Sequence, residues 1–179
     1  MLCSVHRERS SAARRMPLLP RSLPLARPGG YNDCREACPL AELNLGRINR
    51  RVSDIEENLR ILRGYSERPE QEFLANQEAL GAAKYAFVVA IEAAVSIAAH
   101  LCAKLLSRSP ASQRDSFEML GEAGILPADL AGELAKMASF RNLLVHGYAE
   151  VNNATMLAIM RERLGDLERF VRRVAELSH

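Results

Sequence analysis

The feature that most constrains the fold of this chain is a long apolar segment near its middle. Between Ala82 and Leu106 the sequence is almost entirely apolar, and its only acidic or basic side chains are Lys84, Glu92, His100 and Lys104. Because these four side chains interrupt the run, we expect no membrane span and no membrane partner. A helix that is apolar almost all round is typical of the centre of a bundle, or of a helix with a partner chain on one face.

Apolar residues recur at steps of three and four along most of the remaining chain after residue 42, which predicts helices and no strands. Five helices are predicted. Ser112 is the predicted N-cap of the third helix. The predicted ends are Gly64 for the first helix, Gly121 or Gly124 for the third and Gly147 for the fourth. They span about residues 43–64, 69–107, 112–121, 127–147 and 153–177. The predicted fold is all-α, an antiparallel bundle of four to five helices formed by residues 42–179.

Residues 1–41 are predicted to be a disordered extension rich in Pro and Arg, or an artefact of the assigned start site. Residues 1–40 carry 7 Arg against 3 acidic residues, whereas the rest of the chain carries 17 basic residues against 19 acidic ones. The predicted domain is therefore slightly acidic, and its charge does not indicate broad nucleic-acid binding. Any action on RNA has to come from a local site.

Cys34 and Cys38 have a spacing that could bind a metal, but no second pair of Cys or His follows at zinc-finger spacing. No metal site and no cofactor are therefore predicted. Cys102 is expected to be a buried small apolar residue. Nothing in the cysteine pattern demands an oxidising compartment, and a cytoplasmic location is expected.

Ser139–Tyr148 is the densest polar cluster in the helical part, because Arg141, Asn142, His146 and Tyr148 fall within it. On a straight helix Asn142 lies at about 100° and His146 at about 140° from Arg141, so Arg141 and His146 point in different directions. Leu143 and Leu144 are expected to pack inward. Arg141 and His146 could converge if the helix unwound near Gly147, or if a cleft were built with a second copy of the chain across a two-fold axis.

Two interpretations of this cluster follow from the residues alone. Arg, Asn and His near the end of a helix often satisfy its free carbonyl groups and favour its dipole. Alternatively, a histidine can exchange a proton with a ribose hydroxyl or a leaving oxygen, while an arginine clamps the phosphate. Glu92, Ser96 and His100 step by four along the central helix, within about 80° of one another. These three side chains form either a stripe exposed to solvent or a polar lining that meets the Ser139–Tyr148 cluster.

Arg141-Asn142-Leu143-Leu144-Val145-His146-Gly147-Tyr148 resembles the Arg-x4-His-x-Tyr signature of HepT-like toxins in the HEPN superfamily. The resemblance covers about residues 43–178 and includes the surroundings of Glu92 and Phe140. It implies a HEPN-type helical homodimer that cleaves RNA without metal, as the toxin of a type VII toxin–antitoxin pair. It also implies Arg141 and His146 as catalytic residues, Asn142 as a supporting residue, and Tyr148 as the target of AMP transfer by a minimal nucleotidyltransferase antitoxin.

Two other functions remain open at this point. The chain could be a non-catalytic helical binding partner of a minimal nucleotidyltransferase, which the slightly acidic domain favours. It could also be a structural helical domain in which the motif only terminates a helix.

Overall fold

The computed structural model describes residues 43–146 and 151–177, which form seven α-helices and no strand. In chain order these are α1 (Leu45–Ser66), α2 (Glu70–Ala75), α3 (Gln77–Leu105), α4 (Gln113–Glu122), α5 (Ala128–His146), α6 (Asn153–Glu162) and α7 (Leu164–Leu177). The all-α prediction is confirmed. The predicted extension, residues 1–41, lies outside the described residues and stays a prediction.

Four of the helices begin at a side chain that accepts a hydrogen bond from a backbone N–H two or three residues further on. Each such cap replaces a partner that the first turn of a helix lacks, and stabilises the helix by about 1 kcal/mol. The caps are Asn44 for α1, Asn76 for α3, Ser112 for α4 and Asn152 for α6. Ser112 is the cap that the sequence predicted.

The apolar segment forms most of α3, which is the central helix of the bundle as predicted. It contacts α1, α2, α4 and α5. Within the described part of the chain, α3 alone is long and apolar enough to cross a membrane. Of its most apolar stretch of 18 residues, 61% is buried inside the fold. Its apolar side chains therefore serve mainly as core.

Two predicted helices are each divided in the structure, so the count is seven and not four to five. The segment from about 69 to 107 is broken at Asn76, whose extended backbone (φ −98°, ψ 100°) ends α2 and whose side chain caps Ala79. The last helix is broken at Arg163, which ends α6 and pairs with Glu133 and Asp166. Both breaks lie inside apolar periodicity that continues across them, so periodicity alone could not reveal them.

The helix that carries the motif, α5, is packed tightly on two sides. Where α4 meets α5, a Cβ placed on Gly121 would lie 2.7 Å from the Cβ of Ala131, so the packing leaves no room for a side chain at position 121. Toward its C-terminal end, Phe140 contacts Phe87 of α3 edge to face, with ring centroids 5.5 Å apart. This contact fixes α5 against α3 one residue before Arg141.

Candidate functional site

The motif occupies the last turns of α5, up to the final helical residue His146. Leu144 is buried as predicted, but Leu143 is 40% exposed, which corrects the prediction that both leucines pack inward. The reason is the rotation of α5, which turns Asn142, Leu143 and His146 outward together. Tyr148 lies outside the described residues, and its role stays a prediction.

Arg141 does not point into solvent but crosses from α5 to α3. Its Nη2 forms an ion pair with Oε2 of Glu92 at 3.0 Å, and its Nη1 donates a hydrogen bond to Oδ1 of Asn142 at 3.3 Å. The arginine side chain is only 19% exposed. Its Nε is buried and has no hydrogen-bond partner among the described residues. The guanidinium is therefore held by contacts on both terminal nitrogens, and each of these nitrogens has a further N–H group that can bind a ligand.

Glu92 is held from a second direction by Gln113, the first residue of α4. The side-chain Nε2 of Gln113 donates to Oε2 of Glu92 at 3.1 Å, so one carboxylate oxygen meets both neighbours. Three helices thus contribute to the surroundings of Arg141. Sequence reasoning missed Gln113, because its only local signal is that it follows the cap Ser112.

The three polar residues predicted to lie together on α3, Glu92, Ser96 and His100, contact two different parts of the fold. Glu92 meets the motif, whereas Ser96 accepts a hydrogen bond from Nη2 of Arg47 at 3.3 Å, and Nε2 of His100 accepts one from the backbone N–H of Asn44 at 3.1 Å. Ser96 and His100 therefore contact the start of α1. Burial lowers the pKa of His100, and the charges of Arg47 and Lys104 add to this effect.

His146 is exposed and forms no hydrogen bond or ion pair with Arg141 within the described ranges. This agrees with the angle between the two side chains on a straight helix. The structure therefore brings Arg141, Asn142 and Glu92 together in one chain, and it leaves His146 facing outward on the same helix end.

An apolar surface with an exposed tyrosine lies on α3 next to this site. Tyr85 is 70% exposed, and Val88 and Val89 are half-buried on the same face of α3 as Glu92. Exposed apolar surface of this kind is typical of contact with another molecule. Residues 43–146 and 151–177 contain no group of three or more His, Cys, Asp or Glu side chains that could hold a metal ion.

Comparison with known sequences connects this geometry to a family. Residues 55–174 match the model of the family described as Ribonuclease HepT-like. The chain is 34% identical over 80 residues, 45% of its length, to the mRNA nuclease HepT of Shewanella oneidensis. It is also 34% identical over 93 residues, 52% of its length, to an Archaeoglobus fulgidus protein named as a candidate RNase. The matches span 60% of the first relative's length and 70% of the second's.

Solved structures share the fold. One is a Shewanella oneidensis HEPN toxin, solved as a tri-AMPylated protein in complex with an MNT antitoxin. Its TM-score with this chain is 0.68 and the sequence identity is 24%. The match covers 73% of this chain and 97% of that one. The cytosolic protein YutE of Bacillus subtilis, of unknown function, has a TM-score of 0.65 and 16% identity over 75% of this chain and 90% of that one. With the family model matching most of the helical domain, this chain belongs to the HepT-like ribonuclease family.

Proposed function

We propose that this protein is a cytoplasmic ribonuclease toxin that cleaves RNA at the end of α5 without a metal ion. The most direct support is the family of the chain taken together with the arrangement of side chains at the end of α5. A chain of the HepT-like ribonuclease family carries a fixed Arg141 beside an exposed Asn142 and His146 on one helix end. The chain after residue 40 carries 17 basic residues against 19 acidic ones, so its net charge does not attract RNA and this local site has to supply the attraction for phosphate.

The proposed reaction is an internal transfer at the phosphodiester. The ribose 2′-oxygen attacks phosphorus as its proton passes to a base, and the bond from phosphorus to the 5′-oxygen breaks as that oxygen receives a proton from an acid. The products are a 2′,3′-cyclic phosphate and a free 5′-hydroxyl. Arg141 binds the phosphate and offsets the charge that builds up on its oxygens, and Asn142 supports Arg141.

A homodimer supplies what one chain lacks. Because His146 is one imidazole and points away from Arg141, a single copy offers neither a convergent site nor separate acid and base groups. Two copies related by a two-fold axis would provide two His146 side chains. The apolar surface with Tyr85 and Val89, which adjoins Glu92, is the surface proposed for this contact.

The proposed partner is a minimal nucleotidyltransferase antitoxin that transfers AMP to Tyr148. A structure with the same fold was solved as a tri-AMPylated toxin with its MNT antitoxin, and another as a toxin–antitoxin complex with AMP-PNP, with a TM-score of 0.69 and 23% identity. A bulky, charged AMP group two residues beyond His146 would obstruct access of RNA to the helix end. Transfer would link the Tyr148 oxygen to the α-phosphate of ATP and release pyrophosphate.

Purified protein incubated with messenger RNA and transfer RNA tests the proposal. We expect cleavage by the wild type in the presence of EDTA, and its loss in His146→Ala and Arg141→Ala, whose circular dichroism should stay helical. His146 is exposed, so removing its ring should not disturb the core. Cleavage by a folded His146→Ala protein would exclude its role as acid or base. Cleavage by wild type only with added metal would overturn metal independence.

The alternative function is a non-catalytic binding partner of the nucleotidyltransferase, which the acidic balance of the folded part favours. It predicts that the wild-type dimer binds the nucleotidyltransferase and leaves all RNA intact. Mass spectrometry of protein co-expressed with an active nucleotidyltransferase tests Tyr148 separately, with Tyr148→Phe as the control. The added mass of AMP should appear on Tyr148 in the wild type alone.

A further inference from the structure

We propose that Glu92 and Gln113 are positioning residues, which hold the guanidinium of Arg141 in the orientation that binds RNA phosphate. The inference deepens the proposed function and rests on it. Oε2 of Glu92 makes two contacts, since it lies 3.0 Å from Nη2 of Arg141 and 3.1 Å from Nε2 of Gln113. These contacts join α3, α4 and α5 at the side chain that the reaction needs most.

An arginine needs such support because its side chain is long and flexible. Fixing a free arginine costs rotamer entropy, and this cost would fall on phosphate binding if the side chain were mobile beforehand. In this chain Arg141 is already four-fifths buried and contacts Glu92 on one side and Asn142 on the other. The orientation is therefore set before RNA arrives, which is the condition for effective electrostatic catalysis.

Gln113 makes the support rigid. Glu92 alone is half exposed, and an exposed ion pair contributes little because water and salt screen it. Gln113 lies at the first position of α4, directly after the cap Ser112, so its backbone belongs to the helix, and its side-chain Oε1 is buried. A second donor on the same carboxylate oxygen restricts Glu92 to one position, and Glu92 then restricts Arg141.

The support leaves Arg141 able to bind. A guanidinium has five N–H groups, and the contacts with Glu92 and Asn142 engage only part of those on the two terminal nitrogens. The buried Nε, which has no partner within the described ranges, makes this position costly for the fold. An arginine kept in a costly position by two neighbouring helices is typical of a functional site.

The first experiment measures steady-state cleavage of an RNA oligonucleotide by the full chain. We expect Glu92→Ala to lower kcat/KM by about tenfold to a hundredfold. Glu92→Gln keeps an oxygen that accepts from Arg141 and should stay within about threefold of the wild type. Gln113→Ala should act in the same direction but more weakly. The matched control is Glu168→Ala, which removes a Glu–Arg pair between α7 and α1 and should leave cleavage unchanged.

A binding cycle separates positioning from two other roles of Glu92. The Kd of a 2′-O-methyl RNA, which cannot be cleaved, is measured for Glu92→Ala, Arg141→Ala and the double variant. If Glu92 acts through Arg141, its substitution should weaken binding in the wild type and change nothing in Arg141→Ala. Tighter RNA binding by Glu92→Ala would show that Glu92 competes with RNA for Arg141, and would overturn the proposal. A kcat lost equally in Glu92→Gln and Glu92→Ala would show an acid or base and also overturn it.

A third measurement does not depend on RNA. The Nε–H of Arg141 is buried, so its resonance, identified by its absence in Arg141→Ala, should exchange slowly with solvent in the wild type. Glu92→Ala should make that exchange at least about tenfold faster, while Glu168→Ala leaves it unchanged. Unchanged exchange in Glu92→Ala would refute positioning. If exchange responds as expected but the wild type cleaves no RNA, the positioning contact stands and the proposed ribonuclease function fails.

Discussion

His100 is a histidine whose place in the fold favours its neutral form. Its Nε2 accepts the backbone N–H of Asn44, and a protonated ring would lose that acceptor and lie beside the charges of Arg47 and Lys104. Burial first, then these charges, lower the pKa of His100 below its ordinary value of 6.5. The unfolded chain therefore binds more protons than the folded chain in the range just below pH 6.5.

From this sign we predict a loss of stability on acidification that belongs to His100. The contribution is complete above pH 6.5 and is lost as pH falls through the lowered pKa of the folded protein. Urea unfolding between about pH 7.5 and about pH 5 should show a smaller decrease for His100→Gln than for the wild type. Equal decreases in both proteins would assign the acid sensitivity to other groups.

Cys102 is predicted to be chemically inert in the folded protein. Burial raises the pKa of its thiol to about 11, with a smaller effect from Asp115, and its Sγ contacts the carbonyl oxygen of Ser116 at 3.3 Å. Because the thiolate is the reactive form, alkylation at neutral pH should be at least about a hundredfold slower in the folded protein than in urea. Peptide mass spectrometry with iodoacetamide distinguishes Cys102 from Cys3, Cys34 and Cys38. Rapid labelling of folded Cys102 would contradict its burial.

At the scale of helices, the contact between α4 and α5 depends on one missing methyl group. The Cβ of Gly121→Ala would lie 2.7 Å from the Cβ of Ala131, so the helices have to separate near the start of α5. We predict that Gly121→Ala destabilises the protein by about 1–3 kcal/mol, although alanine favours a helix more than glycine.

Gly132 is the matched control, since it lies on α5 with open space around its Cα. Gly132→Ala should stabilise the protein by about 0.5–1 kcal/mol through helix propensity alone. Thermal or urea unfolding of both variants measures the two effects. The same sign of change in both would mean that α4 and α5 are not in close contact at Gly121.

At the scale of the whole molecule, the apolar surface of α3 with Tyr85, Val88 and Val89 predicts how two copies of the chain assemble. Tyr85 is 70% exposed and lies on the same face as Glu92, so a charge there should disrupt a dimer built on this surface. We expect Tyr85→Asp to be monomeric by light scattering and to lose RNA cleavage while remaining folded. Ile61→Asp changes an exposed apolar residue of α1 and should stay dimeric. A dimer that survives Tyr85→Asp would place the interface elsewhere.

The helical architecture could be predicted from the sequence because helices are largely local. Backbone hydrogen bonds span four residues, and apolar side chains at steps of three and four indicate which segments coil and which faces are buried. This was sufficient for the all-α fold, the central helix and the motif at the end of α5. It failed at Asn76, where an extended backbone and a side-chain cap separate α2 from α3, and at Arg163, where α6 ends although the apolar periodicity continues.

The candidate site divides in the same way. The sequence by itself determined which residue types lie near the end of α5, and that one straight helix turns Arg141 and His146 apart. Only the tertiary structure decided that Arg141 meets Glu92 and Gln113, while Ser96 and His100 turn to α1. The physical reason is that these partners lie far apart in the chain. Their contact depends on how each helix rotates and crosses its neighbours when the core packs, which no local pattern encodes.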